Sequence, residues 1–283
     1  MKVIRTVKEM QGVCLKLKAR GKSIGLVPTM GALHEGHLSL VARARKANDI
    51  VVVSLFVNPT QFGPNEDYLR YPRPFNKDKE LCKKAGVNYL FAPSVNEMYP
   101  EGYLTYVQVE KMSALLCGAF RPGHFRGVTT VVAKLFNIVQ PDNAYFGRKD
   151  YQQLKIIERM ASDLNLPVTI VGCPIVREES GLARSSRNQY LSEQERESAS
   201  RIYRSLQAGK ELTEKKNIHS SRRILQKVTS MINEIPGAKI DYVCVCDADT
   251  LEPVPAVKHP VVIAVAVWVG KTRLIDNMLA GVK

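Results

Sequence analysis

Two imidazoles three residues apart, at the point where an apolar strand gives way to a helix, are the side chains of this sequence best placed to do chemistry. They lie in Pro28-Thr-Met-Gly-Ala-Leu-His34-Glu-Gly-His37, between the apolar run Ile24 to Val27 and a helical pattern of Leu38, Leu40, Val41 and Ala44. Residues three apart on a helix share a face. The unpaired backbone N–H groups and positive dipole end of a helix start favour an anion there, and two ring N–H donors add to them. Gly31 and Gly36 let the backbone approach a ligand closely. Binding of nucleotide phosphates is the chemistry that fits. His-x-x-His taken alone also fits a metal half-site or plain polar surface. A metal site would want further ligands at recognisable spacing, whereas His124, His219, His259 and the six cysteines are scattered along the chain.

Three further loops carry polar groups after apolar runs. Asn58-Pro-Thr-Gln61-Phe-Gly-Pro-Asn65 is stiffened by two prolines, so Asn58 and Gln61 can offer uncharged donors and acceptors to substrate hydroxyls or a carboxylate. A lone loop glutamine is more often solvent-exposed turn chemistry. Phe146-Gly-Arg-Lys149-Asp150 precedes a helix bearing Gln152 and Gln153; Lys149 suits a phosphate, and Asp150 suits either ribose hydroxyls or a helix N-cap. The serine- and arginine-rich stretch from Ile175 to Asn188, with Arg184, Ser185, Ser186 and Arg187, can close over a polyphosphate.

The elements that must position these loops are legible as alternation. Through the first ~175 residues apolar runs, some rich in β-branched residues (Ile24–Val27, Ile50–Val57, Tyr89–Phe91, Ala144–Phe146, Val168–Cys173), alternate with helical patterns (Leu38–Lys46, Asn76–Ala85, Thr129–Val139, Tyr151–Leu164). This predicts an α/β fold with a parallel sheet, in which ligands bind beyond the carboxyl ends of the strands. Val7, Met10, Cys14 and Leu17 predict an amphipathic helix before the first of these strands. Beyond Pro174 the pattern changes to long polar helices (Glu193–Lys210, Ile218–Ile235) and strands at Lys239–Val245, Val261–Val269 and Thr272–Ile275, a smaller α+β domain. The expected domains are therefore 1–174 and 175–283.

Composition narrows the partners. With 283 residues, 45% hydrophobic and 24% charged, the chain can bury a substantial core without disulfides. No C-x-x-C pair is present, and free thiols in a reducing cytoplasm are the simplest account of the cysteines. The longest apolar run, Val261 to Val269, is too short to span a bilayer, so no membrane association is expected. The net charge of +14 suits nucleic acid or a polyanionic small molecule. It is spread along the whole length without zinc-finger spacing or an aromatic RNA-binding pattern, so no nucleic-acid partner is expected.

Six motifs in series, Val27 to His37, Phe56 to Asp67, Arg121-Pro-Gly-His-Phe-Arg-Gly-Val128, Tyr145 to Asp150, Ser185-Ser-Arg-Asn188 and Arg273-Leu-Ile-Asp-Asn277, make the chain resemble the pantoate–β-alanine ligase family of the nucleotidylyltransferase superfamily, whose signature is of the HIGH type. The HIGH-like tetrad alone would leave other adenylyltransferases open. The resemblance implies a Rossmann-like sheet and a reaction in which pantoate attacks the α-phosphate of Mg²⁺-ATP, giving pantoyl adenylate and pyrophosphate, after which β-alanine displaces AMP. It implies that His34, His37, Lys149, Ser185 and Arg187 contact the phosphates, with His37 as proton donor. Met30, Gly31, Ala32, Leu33, His34, Glu35, Gly36, His37, Gly147, Arg148, Lys149, Asp150, Val176, Arg184, Ser185, Ser186 and Arg187 would line the ATP site. Gln61 and Gln153 would hold pantoate, with Asn58 where β-alanine enters. A homodimer is implied as well. Arg148, Tyr151 and Arg184 depart from the commonest family residues, Gln, a small residue and Met or Leu. An adenylyltransferase that stops at the adenylylated product is the alternative chemistry.

Overall fold

The computed structural model describes residues 1–64, 66–215 and 218–281. Asn65, at the end of the second polar loop, and residues 282–283 of the expected second domain lie outside them, as do 216 and 217. The chain divides into two compact units: one formed by 1–113, 121–148 and 156–174, the other by 114–120, 149–155 and 175–283.

The first unit is built on six parallel strands: β1 (Lys2–Ile4), β2 (Ile24–Thr29), β3 (Ile50–Leu55), β4 (Tyr89–Phe91), β5 (Asn143–Gly147) and β6 (Thr169–Cys173). Their order across the sheet is β1-β4-β3-β2-β5-β6. The intervening helices are α1 (Val7–Ala19), α2 (Glu35–Ala47), α3 (Phe75–Lys84), α4 (Val95–Met98), α5 (Cys117–Phe120), α6 (His124–Val139) and α7 (Tyr151–Asp163). Of these, α5 and the first turn of α7 belong to the second unit. Ile24 to Val27 are all buried, as a parallel strand covered on both faces requires. Helix α2 packs on β2, β3 and β5, and α6 on β2 and α1. Helix α6 is apolar nearly all round, and twelve of its sixteen residues are buried. The α2 side of the core joins Leu40, Val41 and Ala44 to Val27, Val51, Val53 and Leu90. Strand order reverses direction at β2, which has β3 on one side and β5 on the other. That switch point, at the carboxyl ends of β2 and β5, is where open α/β sheets bind ligands.

The second unit carries the antiparallel sheet β7 (Ala238–Asp247), β8 (Val261–Val269) and β9 (Thr272–Ala280), with α8 (Glu193–Glu214) and α9 (Ser221–Asn233). Its core brings Ile202 and Leu206 of α8 and Ile224, Val228 and Ile232 of α9 onto Ile263, Val265 and Val267 of β8. Ser192 and Glu195 close a reciprocal capping box at the start of α8.

Several boundaries differ from the sequence reading. Strand β1 was not expected; three residues are too short to show periodicity, and it forms only by pairing with β4. Strand β3 ends at Leu55, before the proline-bounded loop, and β9 runs on to Ala280. Helix α6 starts at His124, five residues earlier than its apolar pattern, because Gly123 takes a left-handed conformation at the N-cap. All six cysteines are free thiols. Among the described residues no helix is long and apolar enough to cross a membrane.

Candidate active site

Strand β2 ends at Thr29, and the chain turns through Gly31 (φ 86°) and Ala32 (φ 49°) before α2 begins. His34 is the N-cap. Its Nδ1 accepts the Gly36 N–H at 3.1 Å, while Nδ1 of His37 accepts the N–H of His34 at 3.4 Å. The result is a capping box made of two imidazoles, with ring centroids 4.1 Å apart and planes tilted by 37°. A nitrogen that accepts an N–H carries no proton, so each neutral ring bears its hydrogen on Nε2. This corrects one expectation. Two of the backbone N–H groups assigned to an anion are engaged by the rings, and the donors that the rings themselves carry are the Nε2–H groups.

Two more N–H groups of the turn are taken by Asp78 of α3. One carboxylate oxygen accepts from Ala32 and the other from Leu33, both at 2.8 Å. Asp78 is 2% exposed. Burial raises its pKa, and the two backbone hydrogen bonds oppose that rise without cancelling it. A left-handed alanine costs roughly 1–2 kcal/mol, which these charge-assisted bonds offset. A Cβ on Gly31 would stand 3.0 Å from the Asp78 carboxylate, in a backbone conformation that already disfavours side chains. The carboxylate therefore fixes the path of the turn that carries Met30 and His34.

The loop after β3 forms a 3₁₀ turn, Pro59–Gln61, and its amides are buried, not exposed as a lone loop glutamine would be. Asn58 Nδ2 donates to Gln61 Oε1 at 3.0 Å and to the Gly127 carbonyl at 3.1 Å. Asn58 Oδ1 accepts from Thr60 and from Tyr99, each at 2.9 Å. Asn58 thus orients Gln61, whose Nε2 reaches Met30 Sδ at 3.2 Å. The Met30–His37 turn and the amide loop are in this way joined inside the first unit. Gly147, which ends β5, and the exposed Arg148 stand one strand over from β2.

Arg121 pairs with both carboxylate oxygens of Glu66, with Nε at 2.7 Å, behind this loop. Burial pushes the Glu66 carboxyl up, but the hydrogen bonds and charge of Arg121 outweigh it and hold the pKa below the ordinary glutamate value. A depressed carboxylate contributes stability above its unfolded pKa, about 4.3, and loses it as the pH falls through the folded value. Urea unfolding of the wild type and Glu66→Gln is expected to differ near neutrality and to converge only as the pH falls below the depressed folded-state pKa of Glu66. A gap that persists in acid would contradict this.

The second unit holds the other candidates. Lys149 Nζ lies 3.8 Å from Asp150 Oδ1, and the Lys149 carbonyl accepts from Asn277 Nδ2 of β9 at 2.9 Å. Beside it, Asp276 binds Arg177 through two bonds of 2.6 and 2.9 Å. Arg177 belongs to a tight turn in which the Arg184 N–H donates to the Val176 carbonyl at 3.0 Å. Ser185 caps the following 3₁₀ turn, Ser186–Tyr190, by accepting from the Arg187 N–H at 3.3 Å. Strand β9 therefore ties Lys149 to the segment containing Val176 and Arg184 to Arg187. The two neighbouring glutamines separate clearly. Gln152 is buried and bonded to the Cys117 N–H and the Leu115 carbonyl, whereas Gln153 is half-buried with no hydrogen bond to the described residues. Tyr151 donates to the Ala248 carbonyl at 2.9 Å, so its bulk anchors the start of α7 within this unit.

Sequence reasoning missed Asp78, Asn277 and the role of Asn58 as an orienting group. Asp78 had a signal: it shares a helix face with Phe75 and the buried Cys82, an acidic residue in an apolar stripe. Asn277 lay in a quoted motif to which no role was attached.

A family model described as pantoate-beta-alanine ligase matches residues 2–279. The pantothenate synthetase of Sulfurihydrogenibium sp. (strain YO3AOP1) is 58% identical over 279 residues, 98% of this chain and 99% of the relative. The crystal structure of pantothenate synthetase from Thermus thermophilus superposes with a TM-score of 0.93 at 48% identity, covering 98% of this chain and 99% of that one. The pantoate-beta-alanine ligase of Francisella tularensis, solved in complex with beta-gamma ATP and beta-alanine, gives a TM-score of 0.81 at 36% identity over 100% of this chain and 99% of its own.

Proposed function

Because the chain belongs to the pantoate–β-alanine ligase family and so makes pantothenate in an ATP-dependent reaction, we propose how its residues divide that work. Pantoate is held by the amide of Gln61, oriented by Asn58, and by Gln153. Its carboxylate oxygen attacks the α-phosphorus of ATP; the bond from that phosphorus to the bridging oxygen breaks, and pyrophosphate leaves. A carboxylate is a poor acyl donor, and AMP as leaving group converts it into a reactive mixed anhydride. The neutral amine of β-alanine then attacks the acyl carbon, the bond to the phosphate oxygen breaks, and AMP departs as the amine gives up a proton.

The residues supply positioning and charge cancellation. His34 and His37 present Nε2–H to the phosphates, and His37 is the hydrogen-bond donor to the leaving oxygen, its proton staying on the neutral ring. Lys149, Ser185 and Arg187 take the remaining phosphate charge, while the Met30–His37 turn, Gly147, Arg148, Asp150, Val176, Arg184 and Ser186 line the nucleotide's path. The observation that carries these roles is the pair of capped imidazoles on the turn whose Met30 touches Gln61. Among the described residues no group of three or more His, Cys, Asp or Glu is arranged to hold a metal ion. Mg²⁺ would arrive on ATP, since it keeps several waters and is bound by phosphates with one or two carboxylates. Asp150 is the carboxylate that would share it. When bound, the ion would cancel charge on the phosphate oxygens.

Two copies associating as a homodimer, and residence in the cytoplasm, are part of the same proposal. The family resemblance supports the first and the six free thiols the second; sedimentation of the purified protein tests the dimer. The catalytic reading is tested with ATP, pantoate and β-alanine. AMP release that requires β-alanine supports the ligase, whereas a stable adenylylated product supports a transferase. Gln61→Ala is expected to raise the KM for pantoate at least tenfold, by roughly the cost of a lost buried hydrogen bond, and to leave the KM for ATP nearly unchanged. An equal loss for both substrates would remove the assignment.

A further inference from the structure

The Arg121-Pro-Gly-His-Phe-Arg-Gly-Val128 motif has no part in the roles above, yet its side chains converge on the backbone of Gln61. Nδ1 of His124 lies 2.8 Å from the Gln61 carbonyl oxygen, and Nε2 lies 3.2 Å from a guanidinium nitrogen of Arg121. A carbonyl can only accept and a guanidinium can only donate, so the ring must be neutral with its hydrogen on Nδ1. Arg121 adds a second, longer bond to the same carbonyl at 3.3 Å and is itself held by Glu66. One turn further along α6, the backbone of Gly127 lies directly on the 3₁₀ turn. A Cβ there would fall 2.3 Å from the Thr60 carbonyl oxygen and 2.6 Å from the Gln61 nitrogen, and neither backbone atom can give way. Asn58 completes the contact through the Gly127 carbonyl.

We infer that His124 is a positioning residue for pantoate: its Nδ1–H fixes the Gln61 peptide, and through it the amide that faces the substrate. Arg121 selects the required tautomer by donating to Nε2, and Glu66 keeps Arg121 in place. This rests on the reading of Gln61 as the pantoate-binding amide. The role is separate from the phosphate chemistry of His34 and His37, since a ring that donates to a carbonyl and accepts from a guanidinium is committed to holding those two groups.

The geometry can be dissected by isosteres. The nitrogen of an asparagine amide stands where Nδ1 stands in histidine, while the polar end of glutamine stands nearer Nε2. His124→Asn is therefore expected to keep the bond to the Gln61 carbonyl and a pantoate KM within about twofold of the wild type. His124→Gln is expected to raise the pantoate KM roughly five- to tenfold, as loss of one net hydrogen bond implies, with the ATP KM and thermal midpoint little changed. In a Gln61→Ala background the same His124→Gln change is expected to add nothing further. Equal effects of the two isosteres, a parallel rise in the ATP KM, or a His124→Gln effect that persists without the Gln61 amide would each overturn the inference. If Gln61→Ala raises the pantoate KM while His124→Gln does not, only the role of His124 falls. If Gln61→Ala leaves the pantoate KM unchanged, the reading of Gln61 falls with it.

Discussion

His37→Ala is expected to lower pyrophosphate formation from ATP and pantoate by roughly 10²- to 10³-fold, the range for removing one preorganised hydrogen-bond donor, with little loss of fold. The ring sits on the first turn of α2, half-buried, and its capping bond to the His34 N–H is long, at 3.4 Å. Water can replace that bond at a helix start, so the stability cost is small. What water cannot replace is an Nε2–H held at a fixed angle beside the second imidazole, 4.1 Å away. In the displacement the leaving pyrophosphate gains negative charge, and a donor already in place there stabilises the transition state more than the ground state. The fall should therefore lie in kcat, with the KM for pantoate close to wild type. His37→Asn is a useful companion, because its amide nitrogen can stand only at the Nδ1 position and offers nothing where Nε2–H was. It should be as slow as alanine. Rates within a few fold of wild type in either variant would remove His37 from the chemistry.

Asp78→Ala is expected to combine a loss of stability with a loss of rate. The carboxylate is buried and caps Ala32 and Leu33 with bonds of 2.8 Å; its removal leaves the buried Leu33 N–H without that acceptor, at about 1–3 kcal/mol, and the part-buried Ala32 N–H at less. The turn also loses the contact that holds Ala32 left-handed, and a shift of about 1 Å in a reacting group costs on the order of 100-fold in rate. Asp78→Asn separates the two effects. Its single oxygen can serve one N–H while its NH₂ is forced against the other, so the turn is disturbed in a side chain of nearly the same volume. This variant is expected to stay folded by circular dichroism and to lose roughly 100-fold in adenylation rate. A folded Asp78→Asn enzyme with wild-type turnover would show that the turn holds its path without the carboxylate.

The parallel sheet was legible in the sequence because most of its strands are continuous apolar runs. Ile50 to Ser54 and Ile24 to Val27 announce buried strands wherever helices cover both faces. The second, antiparallel sheet was legible for the same reason in Val261 to Val269. What remained hidden depends on partners distant in the chain. Strand β1 exists because β4 accepts it 87 residues later, with Lys2 opposite Tyr89. The Ala32 and Leu33 N–H groups look available to an anion until Asp78, 46 and 45 residues away, is brought beneath them. Spacing put His34 and His37 on one face, but not the reciprocal capping that fixes which ring nitrogen carries the proton. Gln152 and Gln153 are indistinguishable as letters; the helix turns one amide to the Leu115 and Cys117 backbone and leaves the other half-exposed. The bond of Tyr151 to the Ala248 carbonyl, 97 residues away, is announced by no local pattern.

The central claim is that the amide-held pantoate carboxylate attacks ATP at its innermost phosphorus. It is tested most directly by running one turnover with pantoate labelled in both carboxylate oxygens with ¹⁸O, then adding β-alanine and analysing AMP and pyrophosphate by mass spectrometry. The account predicts one ¹⁸O atom in AMP, one left in the pantothenate carbonyl and none in pyrophosphate. Unlabelled AMP, or label in pyrophosphate, would contradict it.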